Sequence, residues 1–171
     1  MKGLPEDDVR EILSFLKLAG QDLESLHEYH PNLCMANLFA TSDGLKLQNP
    51  FSYRQYITHS SEIVEDKLYQ GEVRPGDFVD DGLKIMKYKE SIRKNVRQVG
   101  LITLYAATLR HDTRLADQNQ KIDEGAVRAA LNDFKSLYSK TLSDYIENMI
   151  QLGYKDTNIP LFSELHGISI G

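Results

Sequence analysis

The chain contains no tryptophan and one cysteine, Cys34, among its 171 residues. A single cysteine excludes an internal disulfide and is compatible with a reducing compartment. The sequence has no apolar run of about 18 residues, so it predicts no transmembrane helix. Residues 1–10 are acidic and polar, unlike a secretory signal or a mitochondrial presequence. We therefore expect an intracellular, cytoplasmic protein without membrane insertion.

An excess of positive charge is also absent. The formal net charge is -5, which argues against a general electrostatic grip on nucleic acid. One local group of cations is interleaved with acids, as is typical of a solvated face; it comprises Lys84, Lys87, Lys89, Arg93, Lys94 and Arg97, with Asp80, Asp81 and Glu90. The apolar fraction of 41% and the charged fraction of 26% suit one soluble globular domain, 1–171.

Residues 5–29 are predicted to form one long helix. Pro5 suits the first helical position, and the acidic residues that follow it stabilise the positive end of the helix dipole. Gly20 is expected to weaken the middle of this helix by about 1 kcal/mol relative to alanine. Apolar residues recur with helical period; they are Val9, Ile12, Leu13, Leu16, Ala19, Leu23 and Leu26.

A β-hairpin is predicted between Leu38 and Leu47. Two short apolar segments flank Thr41-Ser42-Asp43-Gly44, and Asp-Gly in this position is a strong hairpin signal because glycine accepts positive φ. The polar region 52–81 lacks a convincing period, so we expect mostly loop there, with a short helix near 60–68.

Helical periodicity returns from about Leu83 to Leu109. Residues 94–109 are apolar almost all round, which is the profile of a buried central helix. After a polar linker, C-terminal helices are predicted over 124–165, with a break near 139–143. Ser143 is expected to cap the second of them and Gly153 to close it. The fold class is therefore predicted as mainly α with a small β-hairpin.

Four short motifs follow one another along this framework. His30-Pro31-Asn32 is followed by Asn37, then by Asn49-Pro50-Phe51 at the exit of the hairpin, and Asn95 to Gly100 opens the central helix. These positions resemble the H-R-D-x-x-x-x-N loop, the D-F-G and the D-x-W-x-x-G of the eukaryotic protein kinase family. The chain is similar to the family's C-terminal lobe and contains no counterpart of its N-terminal lobe.

The resemblance divides the domain into five parts. They are the first long helix (5–29), a degenerate catalytic loop and hairpin (30–51), an activation-segment-like loop (52–90), the buried central helix (94–109) and the closing helices (124–165). Glu90 stands near the position of the A-P-E glutamate, and Ile159-Pro160 stands where the family commonly has Arg-Pro.

The departures from the family's pattern imply that the chain is not an enzyme. Asn32 stands where the family has its catalytic aspartate, and Asn49 where it has the magnesium-binding aspartate. A neutral amide cannot accept the substrate's proton near neutral pH, and it binds magnesium poorly. Cys34 replaces a lysine that contacts the transferred phosphate. We therefore predict no catalytic residue, metal or cofactor, and treat His30, Asn32, Asn37 and Asn49 as degenerate positions.

The resemblance implies a catalytically inactive, kinase-like (pseudokinase) module. We expect it to act as a structural or interaction subunit of a larger intracellular assembly, cytoskeletal or ciliary, with protein partners. Aromatic residues in loops often anchor interfaces. The candidate interaction surface is accordingly Phe51, Tyr53, Tyr56 and Tyr69.

Two alternatives remain open. The first is an atypical phosphotransferase completed by a separate polypeptide that supplies the N-terminal lobe. The second is an unrelated helical adaptor, which would be favoured by a structure in which residues 5–29 do not pack against residues 94–109. The five histidines are expected to be structural or exposed, because a metal site needs ligands that converge.

Overall fold

The computed structural model describes residues 2–31, 33–47, 81–110 and 122–166. Those residues form four α-helices and one antiparallel pair of strands, which confirms a mainly helical fold with a small hairpin. The elements are α1 (Glu6–Ser25), β1 (Leu38–Thr41), β2 (Gly44–Leu47), α2 (Asp81–Ala107), α3 (Glu124–Leu137) and α4 (Lys140–Ile150). Short 3-10 turns lie at Met35–Asn37, Asp156–Asn158 and Phe162–Glu164.

Helix α2 is the centre of the fold, with α1, α3 and α4 packed around it. Val96, Val99 and Leu104 on α2 have no exposed surface, which confirms a buried central helix. Its bounds differ from the prediction, because α2 begins at Asp81 and ends at Ala107. Residues 81–90 are therefore helical, in agreement with the periodicity from about Leu83, whereas the kinase resemblance assigns them to an activation-segment-like loop. The side chain of Tyr88 packs against the core, so tertiary burial helps to stabilise these first turns of α2.

Helix α1 ends at Ser25, four residues before its predicted end. His27 adopts a left-handed conformation with φ of 57°. Its N–H donates to the Glu24 carbonyl (3.0 Å), and the Glu28 N–H donates to the Leu23 carbonyl (2.8 Å). This hydrogen-bond pair is the Schellman pattern that ends helices. Leu26, predicted on the buried stripe, is consequently 63% exposed.

Gly20 lies at a close contact between α1 and the C-terminal part of the chain. A Cβ atom at this position would lie 2.3 Å from Cζ of Phe162, a ring that is fully buried. The glycine therefore allows α1 and the Phe162–Glu164 turn to approach. Glu24, one turn further along α1, accepts hydrogen bonds from the N–H and the hydroxyl of Ser163 at 3.1 and 2.8 Å.

The break between α3 and α4 occurs where the sequence predicts it, but the cap is a different serine. Ser139 precedes α4, and its Oγ accepts a hydrogen bond from the Leu142 N–H (3.4 Å). Ser143, the predicted cap, is buried inside α4 instead. The carboxylate of Glu6 on α1 accepts the Ser139 N–H at 2.7 Å, so a contact from α1 helps to select the first serine. Gln151 (φ 49°), not Gly153, ends the helix.

The hairpin forms at the predicted residues. Leu38 pairs with Leu47 and Phe39 with Lys46, so alternate cross-strand pairs face opposite sides. Gly44 has φ of 110°, a conformation that favours glycine. Leu38 and Leu47 pack against the core, whereas Phe39 on the other face is 50% exposed. The predicted loop 52–80, with its helix near 60–68, lies outside the described residues.

Candidate functional site

The candidate site is the loop between α1 and β1, where the kinase-like motif begins. His30 and Asn37 are both buried, with 5% and 7% of their surfaces exposed. Cys34 between them is partly buried. Asn37 closes the Met35–Asn37 turn, in which its N–H donates to the Cys34 carbonyl (3.1 Å).

Several predicted site residues cannot be placed relative to this loop. Asn32 and Asn49 lie outside the described residues. The same holds for the whole predicted interaction surface of Phe51, Tyr53, Tyr56 and Tyr69. The described part of the site therefore consists of His30, Cys34, Asn37 and the residues that contact them.

The side chain of Asn95 on α2 hydrogen-bonds both the N–H and the carbonyl of His30. The His30 N–H donates to Asn95 Oδ1 at 2.7 Å, and Asn95 Nδ2 donates to the His30 carbonyl at 2.8 Å. Asn95 Nδ2 also donates to Gln98 Oε1 at 2.9 Å. Asn95 is 3% exposed, and an amide has both the donor and the acceptor that a backbone unit requires. We call this contact the Asn95–His30 clamp.

The clamp joins two of the segments that carry the kinase resemblance. His30 begins the degenerate catalytic motif, and Asn95 begins the motif of the central helix, 65 residues later. Asn95 is not among the site residues that the sequence predicts. The sequence nevertheless indicates a role for Asn95, because this polar residue lies on the same helical face as Ile92, Val96 and Val99, which are all buried. A polar residue in such a place requires a hydrogen-bond partner.

A second contact fixes the end of α1 at the entrance to this loop. The Tyr88 hydroxyl donates towards the carbonyls of Glu24 (3.0 Å) and Glu28 (3.4 Å). Burial raises the pKa of Tyr88, and the Glu24 and Glu28 carboxylates raise it further. The ring of His27 lies edge-on to Tyr88 with their centroids 6.1 Å apart. The loop is therefore held to α2 at Tyr88 and at Asn95.

These contacts position the backbone of the loop. The Asn95–His30 clamp is made of neutral amides, which act neither as acids nor as bases near neutral pH. Among the residues that the structure describes, no group of three or more histidine, cysteine or carboxylate side chains is placed to hold a metal ion.

Two grooves in the described surface lie elsewhere, around α3, α4 and the segment that follows them. The first has a volume of about 470 Å³ and is lined by α3 and α4. The second, about 400 Å³, is lined by residues that include Arg97 and Asp156, which form an ion pair at 2.7 Å. Leu152 and Tyr154 line both grooves, and neither groove is lined by His30 or Asn37.

Comparisons with models of protein families, with curated proteins and with solved structures find no match to this chain. The resemblance to the kinase C-terminal lobe therefore stays a prediction from the motifs. Within the described ranges, no helix combines the length and apolarity that crossing a membrane requires.

Proposed function

We propose that this chain is a catalytically inactive, kinase-like module that acts as a structural or interaction subunit of a larger intracellular assembly. The observation that carries the proposal is the use of the candidate loop as a structural element. His30 and Asn37 are buried, and both backbone polar groups of His30 are taken up by Asn95. A loop held in this way supports a stable scaffold.

The chemistry of the motif supports the same proposal. In protein kinases, one carboxylate orients the attacking hydroxyl and another holds magnesium. The sequence has Asn32 and Asn49 at the corresponding positions. An amide oxygen is neutral and therefore stabilises a divalent cation much less than a carboxylate does.

Exposed apolar residues near the loop support an interaction role. Leu26 and Tyr29 follow α1 and are 63% and 39% exposed, and Phe39 on the hairpin is 50% exposed. On the first turns of α2, Ile85 and Met86 are 54% and 59% exposed. A contiguous apolar patch marks a surface that partner proteins cover, and we propose that these side chains form such a patch. Helices α1 and α2 pack against each other, whereas the hypothesis of an unrelated helical adaptor would be favoured by the absence of that packing.

A phosphotransfer assay on the purified full chain tests the proposal. The chain would be incubated with magnesium, labelled ATP and a library of peptide substrates, beside an Asn37→Ala variant as the matched control. We expect equal background labelling from both proteins. Transfer by the natural chain that disappears in Asn37→Ala would refute the proposal.

The interaction role needs a separate test. A photo-crosslinking amino acid would be placed at Phe39 or, as a control, at the exposed Asn158, and the chain isolated from its native cell extract. We expect a discrete adduct from position 39 and none from position 158. Equal, diffuse labelling from both positions would argue against a contact surface at the hairpin. Magnesium-dependent ATP binding that appears with a crosslinked partner would favour the atypical phosphotransferase instead.

A further inference from the structure

A groove between α3 and α4 has features that the kinase resemblance does not explain. Its volume is about 470 Å³, within the range of roughly 300–1,000 Å³ that is typical of ligand sites. Leu131 and Leu152 give it apolar lining, and the exposed Tyr154 adds an aromatic ring. The remaining lining is polar, with Arg128, Asn132 and Lys135 from α3, and Asp144, Glu147, Asn148 and Gln151 from α4 and its end. We call this surface the α3/α4 groove.

The charges in the α3/α4 groove are neutralised except for one. Lys135 forms an ion pair with Glu147 across the groove, and Asp144 is paired with Lys140 at 2.7 Å. Among the described residues, Arg128 has neither an ion pair nor a hydrogen bond. Among the described residues, Arg128 is thus the lining cation that has no acidic partner, and its guanidinium can pair with the carboxylate of a ligand.

The amide side chains add a second kind of complementarity. Gln151 Nε2 donates to Asn148 Oδ1 at 2.9 Å, so these two amides are already joined. The carboxamide of Asn132 has no hydrogen bond among the described residues. A free carboxamide offers one donor group and one acceptor, the pair that a peptide unit needs.

The spacing of the α3 side chains sets the length of a segment that can lie along the groove. Arg128 and Lys135 are seven residues apart on α3, which corresponds to about 10.5 Å. An extended peptide advances about 3.3 Å per residue, so this length accommodates about three residues. An extended segment also offers free backbone N–H and C=O groups to the Asn132 carboxamide, whereas the backbone groups inside a helix bond one another.

We propose that the α3/α4 groove binds an extended segment of a partner protein, about three residues long, that carries an acidic side chain. Arg128 pairs with the carboxylate, and Asn132 hydrogen-bonds the peptide backbone. Leu152 and Tyr154 cover an adjacent apolar side chain. The site is separate from the loop at His30, so it does not depend on the function proposed above.

Peptide selection followed by measured affinity tests this site. A phage-displayed library of random heptapeptides would be selected on the immobilised full chain, and the most enriched peptide synthesised with a fluorescent label. Fluorescence anisotropy would then give its Kd for the natural chain and for Arg128→Glu, Asn132→Ala and Lys94→Glu. Lys94 is an exposed cation on α2 outside the groove, so Lys94→Glu controls for the same change in net charge.

We expect the enriched peptides to share an acidic residue beside an apolar one. Arg128→Glu should weaken binding by about tenfold or more, because it replaces a charge-assisted hydrogen bond with a repulsion. Asn132→Ala should weaken it several-fold, and Lys94→Glu should leave the Kd unchanged. Circular dichroism of each variant verifies that the helices are intact.

Three results would overturn the proposal. The first is that no peptide is enriched over the empty support. The second is that Lys94→Glu weakens binding as much as Arg128→Glu, which would indicate non-specific charge attraction. The third is that sedimentation shows a dimer that Arg128→Glu dissociates, which would make a second copy of this chain the occupant of the groove.

Discussion

Replacing Asn95 by alanine should destabilise the fold more than its small change in volume suggests. The substitution removes the acceptor for the His30 N–H and the donor for the His30 carbonyl, at 2.7 and 2.8 Å. Both backbone groups would then lose these hydrogen bonds in a buried place, since His30 is 5% exposed. A buried polar group without a partner costs about 1–3 kcal/mol, so we expect Asn95→Ala to lower the free energy of unfolding by about 2–4 kcal/mol.

The effect of Asn95→Asp on the free energy of unfolding should depend on pH. The introduced carboxylate still accepts the His30 N–H, but its second oxygen faces two acceptors, the His30 carbonyl and Gln98 Oε1. Burial and these acceptors raise the pKa of the introduced carboxyl, because the protonated form can donate where the charged form cannot. A raised folded-state pKa means that stability is lost as pH rises from the ordinary aspartate range, about 4, through the folded-state value. Asn95→Asp should therefore differ least from the natural chain at acid pH.

Urea unfolding followed by circular dichroism at 222 nm measures both effects, since ellipticity reports the helices directly. The control is Asn132→Ala, because that exposed carboxamide has no hydrogen bond among the described residues. We expect the control to stay within about 0.5 kcal/mol of the natural chain. An Asn95→Ala variant that also stays within this range would refute the structural role of the clamp.

Three further predictions concern packing, an unsatisfied hydroxyl and alkaline stability. Gly20→Ala should destabilise by about 2 kcal/mol, because overpacking against Phe162 outweighs the gain in helix propensity. Ser143→Ala should stabilise by about 0.5–1 kcal/mol, because the buried Ser143 hydroxyl has no hydrogen-bond partner among the described residues. Burial raises the pKa of Tyr145 to about 12 from its ordinary 10, so its contribution to stability is lost as pH rises from 10 to 12. Tyr145→Phe should accordingly reduce the loss of stability over that pH range.

Urea midpoints measure the three changes in stability, and a different result would contradict each prediction. In a Phe162→Leu background, Gly20→Ala should become less destabilising; an equal effect in both backgrounds would argue against the steric cause. A less stable Ser143→Ala variant would indicate that the hydroxyl has a partner. For Tyr145→Phe, the slope of stability against pH between 10 and 12 should be shallower than in the natural chain, and an unchanged slope would contradict the prediction. The variant also loses the hydrogen bond from Tyr145 to the His166 carbonyl (2.8 Å), so stability at neutral pH is the reference for each protein.

Local sequence patterns predict which helices and strands form better than they predict the residues at which those elements end. The apolar period of α1 identifies the buried Val9, Leu13 and Leu16, because a helical face depends on residues three and four apart. The end of α1 was predicted too late, since left-handed backbone at His27 is uncommon for a residue other than glycine. The choice of Ser139 over Ser143 as a cap involves Glu6 on α1. Spacing within the α3–α4 segment cannot reveal that contact.

The candidate site comes from the order of motifs, which singles out His30 and Asn37. The structure shows that both are buried, and their assignment to a kinase-like motif stays a prediction. Asn95 could have been found as a polar residue on an apolar helical face, but its partner could not. The α3/α4 groove has no motif at all, because its lining comes from residues on two helices and the segment after them that become neighbours only on folding.

The sequence by itself determined the mainly helical class, the hairpin at Leu38–Leu47 and the burial of the central helix. Each follows from residues close together in the chain, through hydrophobic period and turn chemistry. Tertiary structure alone decided that Gly20 is required by Phe162 and that Asn95 holds His30. The clamp joins residues 65 apart in the chain, and the contact between Gly20 and Phe162 joins the first helix to the C-terminal segment. Such pairings depend on how helices pack, which the neighbours of a residue in sequence do not specify.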